Sequence, residues 1–538
     1  MDPEKEKPET DQRDASRSSW QDHRFVLAAA VLLLVLLAWT SYNDVSAMRQ
    51  RGDSSLFSAI GMHWNEGRVL YREAWDHKQP VVFMLNGWAM AMGDGTANSI
   101  RLMERLFLVM SSLCFLALLR FAGFSVGLAF VGALYFLLHF TNPPLIKGGN
   151  YTEVYALAFV AMGLMMTAWT RRRLDWRQWP GCGLAGLFFS LAAFTKEPFI
   201  LSSVPWFFWL IFTRPGGAAY SWKRVILRSL SFIGGAFIPA LIFLIYFWSR
   251  GALADWLDVF VFNFSFVENT QSDLGFWANQ AENLSMVREY ILNRDMPMGL
   301  LLALAVASFL DPVFRKRFGA LPVFAAIMLL LDYFATSLST NRHGHYYLQM
   351  TPAIGILCAC GAAYLAMIFT RAKRHWRVGL IVVLLFAFWW DREFYITHAR
   401  KRLAESSREQ ASPVAEYIAG HSEPGSGLWI CEAKYSFLYH QADRLSPSRY
   451  LFGSKEIFID TALSTRLEKI AILREDLQSK PPKFIIMASP EYRLKRGQFL
   501  LQSGIYDWVT RNYESVPVRL PRWNEDLLMI RRERQASD

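Results

Sequence analysis

Apolar residues in this chain come in long blocks rather than in alternation with polar ones. Blocks at about 25–41, 100–120, 123–141, 152–170, 181–195, 198–213, 225–249, 297–311, 319–338, 346–369 and 377–390 are divided by short polar or basic stretches. A helix needs about 20 apolar residues to cross a bilayer, so the pattern predicts an α-helical multi-pass bundle of about eleven spans. A further block, 80–92, is too short to span comfortably and reads as an interfacial or re-entrant helix. Beyond residue 390 the pattern changes. Stretches of strand length at 427–431 and 483–487 alternate with helical patterns at 413–419 and 464–478, which predicts a small α/β domain over 391–538. Residues 1–24 carry mixed charge and no apolar core, and read as a disordered tail.

Composition agrees with a membrane protein: 53% of the 538 residues are hydrophobic and 19% are charged. The net charge of +11 would suit nucleic acid, but the basic residues cluster in short loops between apolar blocks, so no nucleic-acid partner is expected. The clusters are Arg171-Arg172-Arg173 with Arg177, then Arg214, Lys223 and Arg224, then Arg315-Lys316-Arg317, then Arg371, Lys373, Arg374 and Arg377. Cytoplasmic loops carry such an excess of Lys and Arg. With a cytoplasmic N-terminus, eleven spans bring all four clusters to the cytoplasmic side of a plasma (inner) membrane. The C-terminal domain then lies outside the cytoplasm.

The external side would carry a long first loop, 42–99, a short loop at 147–153, a kink at Thr195-Lys196-Glu197-Pro198, an aromatic loop at 249–297 and a short loop at 339–346. Ionisable groups at this depth are costly unless paired or used. Asp53 opens an amphipathic stretch and suits either a helix cap or a base. Asn150 with Glu153 three residues later fits a capping box. Lys196 and Glu197 fit a surface kink before Pro198. His343 and His345 alone are a weak metal signature, so a divalent metal has no support.

The first loop runs Asp53, then a helical stretch, then Gly67-x-x-x-Tyr71, then Trp75-Asp76-His77-Lys78-Gln79-Pro80. This resembles the first loop of the GT-C glycosyltransferases that use polyprenyl-phosphate sugars, the family 39 and dolichyl-phosphate-mannose protein mannosyltransferase group together with the aminoarabinose transferases. Where that family has Lys-Pro-Pro, this chain has Lys78-Gln79-Pro80. The resemblance implies sugar transfer from a polyprenyl-phosphate donor to a glycan, glycolipid or protein acceptor outside the cytoplasm. It implies Asp53 as general base with Glu153 as the second acidic position. Lys78, Lys196, Arg342 and His345 would meet the donor phosphate, with Asp76, His77 and Lys147 as further candidates. The donor is activated by its own phosphate, so no cofactor is called for. A transporter or flippase is the main alternative, but paired broken helices in repeated halves are not evident. A sensor or scaffold would bind its ligand through the external domain.

Overall fold

The computed structural model describes residues 9–40, 52–146, 149–173, 175–212, 221–270, 276–292, 295–338, 342–373, 412–453, 463–487, 502–518 and 527–532, with a few single positions between them. The chain opens with helix α1 (Glu9–Thr40), α2 (Gly52–Asn65), α3 (Pro80–Met92), α4 (Ala97–Ala122), α5 (Val126–Phe140), α6 (Thr152–Arg171), α7 (Gln178–Ala193), α8 (Ile200–Phe212) and α9 (Trp222–Ser249). It continues with α10 (Leu253–Thr270), α11 (Phe276–Val287), α12 (Met296–Ser308), α13 (Pro312–Phe318), α14 (Leu321–Thr336) and α15 (Thr351–Arg371). Local chemistry sets several boundaries. Pro80 occupies the first turn of α3, where its missing N–H costs nothing. Thr96 caps α4 by accepting the Asn98 N–H, and Gly123 ends that helix at φ 104°. Asp295 caps α12 by accepting the Met298 N–H at 2.9 Å.

Two expectations change. Helix α1 starts at Glu9, within the stretch read as a disordered tail; Glu, Gln, Arg and Ala favour helix, and low hydropathy did not prevent one. The aromatic stretch read as an external loop forms α10 and α11; Trp256 and Phe262 are buried, with Trp256 on Phe247 at 5.0 Å between ring centres, while Phe264 and Trp277 are exposed. Among the described residues, four helices are long and apolar enough to cross a bilayer, or up to six if each bent pair is one span. Helices such as α8 and α3 have 13 residues, about 20 Å, short of the roughly 30 Å hydrocarbon core. Length and composition therefore support an integral membrane bundle without giving eleven spans.

Helix α6 lies at the centre, whereas α9 faces largely outward. Lipid tails supply no hydrophobic drive between helices, so close backbone approach matters. A Cβ on Gly186 of α7 would come within 1.9 Å of the Phe232 carbonyl of α9, and one on Gly361 of α15 within 2.0 Å of the Leu301 carbonyl of α12.

The C-terminal part holds α16 (Pro413–Gly420), β1 (Leu428–Ile430), α17 (Leu463–Ser479), β2 (Phe484–Met487), α18 (Ile505–Asn512), β3 (Tyr513–Ser515) and β4 (Leu527–Arg531). The sheet order is β1-β2-β4-β3. β1 and β2 run parallel, with Leu428 opposite Phe484, and β4 is antiparallel to both β2 and β3. This α/β unit docks on the first loop. The Ser446 N–H donates to His63 Nε2 at 2.8 Å, and the Trp75 N–H donates to the Arg449 carbonyl at 2.8 Å. Ion pairs Arg449–Asp255 (3.3 Å) and Lys469–Asp258 (3.4 Å) fasten it to α10.

Candidate functional site

Helix α2 begins at Gly52, so Asp53 falls in its first turn, exposed, where the helix dipole favours a carboxylate. The chain then turns at Gly67, whose φ of +85° suits glycine, and reaches Tyr71 at φ +67°. Tyr71 is held on both sides: its N–H donates to the Ala74 carbonyl at 2.9 Å and its hydroxyl to the Lys78 carbonyl at 2.8 Å. These bonds fold the 71–78 segment back on itself and present Lys78 just before Pro80 starts α3.

Around Lys78 the polar groups are dense. Buried Asp76 accepts the Lys78 backbone N–H at 2.9 Å and lies 3.7 Å from His77 Nδ1. The Lys78 ammonium donates to His77 Nε2. Burial, then Lys78 and Lys196, push the His77 pKa well below 6.5, so the imidazole is neutral and can accept that proton. Burial disfavours the Lys78 ammonium, but Tyr346, Asp76, Asp53 and Glu197 outweigh it and raise its pKa. Asp53 therefore lies within electrostatic reach of Lys78.

A second group comes from the starts of α6 and α8 and from the turn before α15. Buried Glu153 pairs with Lys196, accepts the Thr152 hydroxyl at 2.9 Å, and lies 4.0 Å from His345 Nε2. The Lys196 ammonium sits 3.8 Å from the centre of the Tyr346 ring. His345 stacks on Tyr151, ring centres 4.2 Å apart, and its buried Nδ1 has no hydrogen-bond partner among the described residues.

Glu197 joins the two groups. Its Oε1 accepts from Gln79 Nε2 and from Asn263 Nδ2, both at 2.7 Å, and Asn263 Nδ2 also donates to the His77 carbonyl at 2.9 Å. One carboxylate oxygen thus ties the first loop, the kink before α8 and helix α10 together. Gln79, the departure from Lys-Pro-Pro, supplies one of these ties. The expectation that Glu197 merely marks a surface kink is corrected by this geometry.

The structure thus brings Asp53, Asp76, His77, Lys78, Glu153, Lys196 and His345 into one electrostatically linked region. Arg342 turns instead to α11, pairing with Glu282 at 2.7 Å and with the Asn279 side chain. Lys147 lies outside the described residues. Among the described residues no three His, Cys, Asp or Glu side chains form a metal-binding group. The capping box expected at Asn150 and Glu153 is also replaced: Tyr151 is the N-cap of α6 and makes no side-chain cap bond. Sequence reasoning missed the roles of Tyr346, Asn263 and Asn150; the partners that decide them, Lys196 for Tyr346, Glu197 for Asn263, and Ser54 and Asn86 for Asn150, lie dozens of residues away, where spacing carries no signal.

The carboxylates outnumber the ammonium groups; Asp76 and Glu153 are buried, whereas Asp53 stays open to solvent. A phosphate oxygen reaching Lys196 would compete with Glu153 for the same ammonium. Such a site can hold an anion while keeping a proton acceptor close by.

No protein-family model matches the chain, and no curated protein sequence does. Solved structures do match. ArnT from Cupriavidus metallidurans bound to undecaprenyl phosphate superposes with a TM-score of 0.57 over 94% of this chain and 97% of that one, at 13% identity. This chain has the ArnT fold. The apo state of the same ArnT gives a TM-score of 0.56 at 12% identity, covering 96% of this chain and 98% of that one. The ArnT fold is the GT-C architecture that the first-loop resemblance implies, and the match takes in the helical bundle and the α/β unit together.

Proposed function

We propose that this chain is a membrane glycosyltransferase that moves one sugar from a polyprenyl-phosphate donor to an acceptor outside the cytoplasm, with inversion at the anomeric carbon. The observation that carries the reading is the convergence of carboxylates and ammonium groups from the first loop and from the starts of α6 and α8. It is supported by a fold shared with a protein whose structure holds undecaprenyl phosphate.

In this reading Lys78 and Lys196 hold the donor phosphate, with His345 beside them. An acceptor hydroxyl or amine attacks the anomeric carbon and gives its proton to Asp53. The new bond forms as the bond from that carbon to the phosphate oxygen breaks. The electron pair leaves on the polyprenyl phosphate, where fixed positive charge stabilises it. As the phosphate takes up Lys196, Glu153 loses its counter-ion next to the reacting atoms. The N-terminus lies in the cytoplasm and the α/β unit outside it, over the site. Glycan, glycolipid and protein remain the acceptor classes.

The test uses the full chain in lipid nanodiscs, with radiolabelled undecaprenyl-phosphate glucose, mannose and aminoarabinose offered to envelope glycolipid, polysaccharide and protein fractions. Label should move to one fraction. Asp53→Asn should lower kcat by about 10²–10⁴-fold while undecaprenyl phosphate still binds. Full turnover by a folded Asp53→Asn chain removes the proposed base. A wild-type chain that neither transfers label nor binds undecaprenyl phosphate removes the reading itself.

A further inference from the structure

Between the two candidate catalytic carboxylates lies a side chain to which no role has been given. Asn150 is fully buried and sits at φ +53°, in the left-handed region that asparagine tolerates better than most residues. Its amide uses every hydrogen-bonding position it has. Nδ2 donates to the Ser54 carbonyl and to Asn86 Oδ1, each at 2.8 Å. Oδ1 accepts the Tyr155 hydroxyl at 2.8 Å and Asn86 Nδ2 at 3.1 Å. Its backbone N–H donates to Glu104, which is itself buried and paired with Arg101 at 2.9 Å. The bond to Ser54 is returned, since Ser54 Oγ donates to the Gly149 carbonyl at 2.5 Å.

Ser54 follows Asp53 directly, and Asn150 precedes Glu153 by one helical turn. The reciprocal bonds between 54 and 149–150 therefore fasten together the backbone segments that carry the two carboxylates. None of the bonds described for Lys78 runs through Asn150, and Lys196 is tied to Glu153 by their own ion pair. We propose that Asn150 is a positioning residue that sets the placement of Asp53 relative to the Glu153–Lys196 pair. The proposal rests on the glycosyltransferase reading. Its physical ground is that a displacement of about 1 Å at reacting groups can cost roughly 10²-fold in rate.

Three variants separate backbone from side chain. Asn150→Gly keeps the left-handed conformation and removes the amide. Asn150→Asp keeps the shape and loses both N–H donors. Ser54→Ala removes the returning bond from the opposite side. In the nanodisc assay each should lower kcat, by at least tenfold for the Asn150 variants and less for Ser54→Ala. Undecaprenyl phosphate affinity and donor KM should stay within about threefold of wild type. Thermal melting identifies the folded variants, and Ser54→Ala carries the test if both Asn150 variants fail to fold. An unchanged kcat in the folded variants, or a fall in kcat matched by an equal loss of undecaprenyl phosphate binding, overturns the role of Asn150. A wild-type chain that transfers nothing overturns the enzymatic reading beneath it, which is a separate result.

Discussion

At one end of the bundle, Arg120 and Arg172 bond to nearby carbonyls, Arg371 pairs with Asp311, and Arg315, Lys316 and Arg317 are exposed. Phe124 stacked on Phe318 shows that these turns share one end. At the other end, Arg101, Glu104, Glu153, Lys196 and Glu197 are withdrawn from water; Arg101 pairs with Glu104 on its own helix, and the other four are bonded between segments far apart in sequence. Charges of the first kind are solvated and replaceable, and act through their total. Charges of the second kind act through where each one stands. Removing one partner of a buried pair strands the other, so position and stability are tied together there.

The contrast can be broken most directly at Arg101. Arg101→Met leaves Glu104 buried without its counter-ion and should destabilise the protein by about 3–5 kcal/mol. Arg317→Ala, at the opposite end, should change stability by less than about 0.5 kcal/mol. Both are read by thermal melting in detergent, and equal losses would erase the distinction.

A slightly smaller effect is expected at His63. Its Nδ1 donates to the Ala59 carbonyl at 2.7 Å, its Nε2 accepts the Ser446 N–H, and burial lowers its pKa from 6.5 to about 4. The folded state thus binds fewer protons than the unfolded state between these values. Stability from this group is complete above pH 6.5 and is lost as pH falls toward 4, to a total of about 3 kcal/mol. His63→Gln, which can still accept from Ser446, should flatten that acid slope in melting curves taken from pH 7 to 4.5. A slope that persists would place the acid sensitivity elsewhere.

The smallest effect sharpens the picture around Lys78. Glu197 is among the groups that raise the Lys78 pKa, so if Lys78 holds the donor phosphate as proposed, Glu197→Gln should move the alkaline limb of undecaprenyl phosphate binding to lower pH. A limb that stays in place or moves upward would detach Glu197 from Lys78.

Much of the architecture was legible along the chain. Pro80 announces α3, and the apolar runs 427–431 and 483–487 become β1 and β2. Asp53 and Lys78 stood out through the first-loop resemblance, and the structure brings them within electrostatic reach. What could not be read was anything decided by a partner distant in sequence. Asn150 looked like half of a capping box because its spacing from Glu153 allows one, yet Ser54 and Asn86 claim its amide. Glu197 looked like a surface charge because Gln79 and Asn263 lie in other segments. The stretch after α9 looked like a loop because its aromatics mask a helical face that only packing reveals.

The bond from the Trp75 N–H to the Arg449 carbonyl sets an order of assembly. Trp75 leaves the ribosome long before Arg449 is made, and nearly the whole bundle is synthesised in the interval. The segment that carries Lys78 therefore gains this bond only after Arg449 has been made and the C-terminal unit has folded back, so a loop written early in the chain is finished by a part written late.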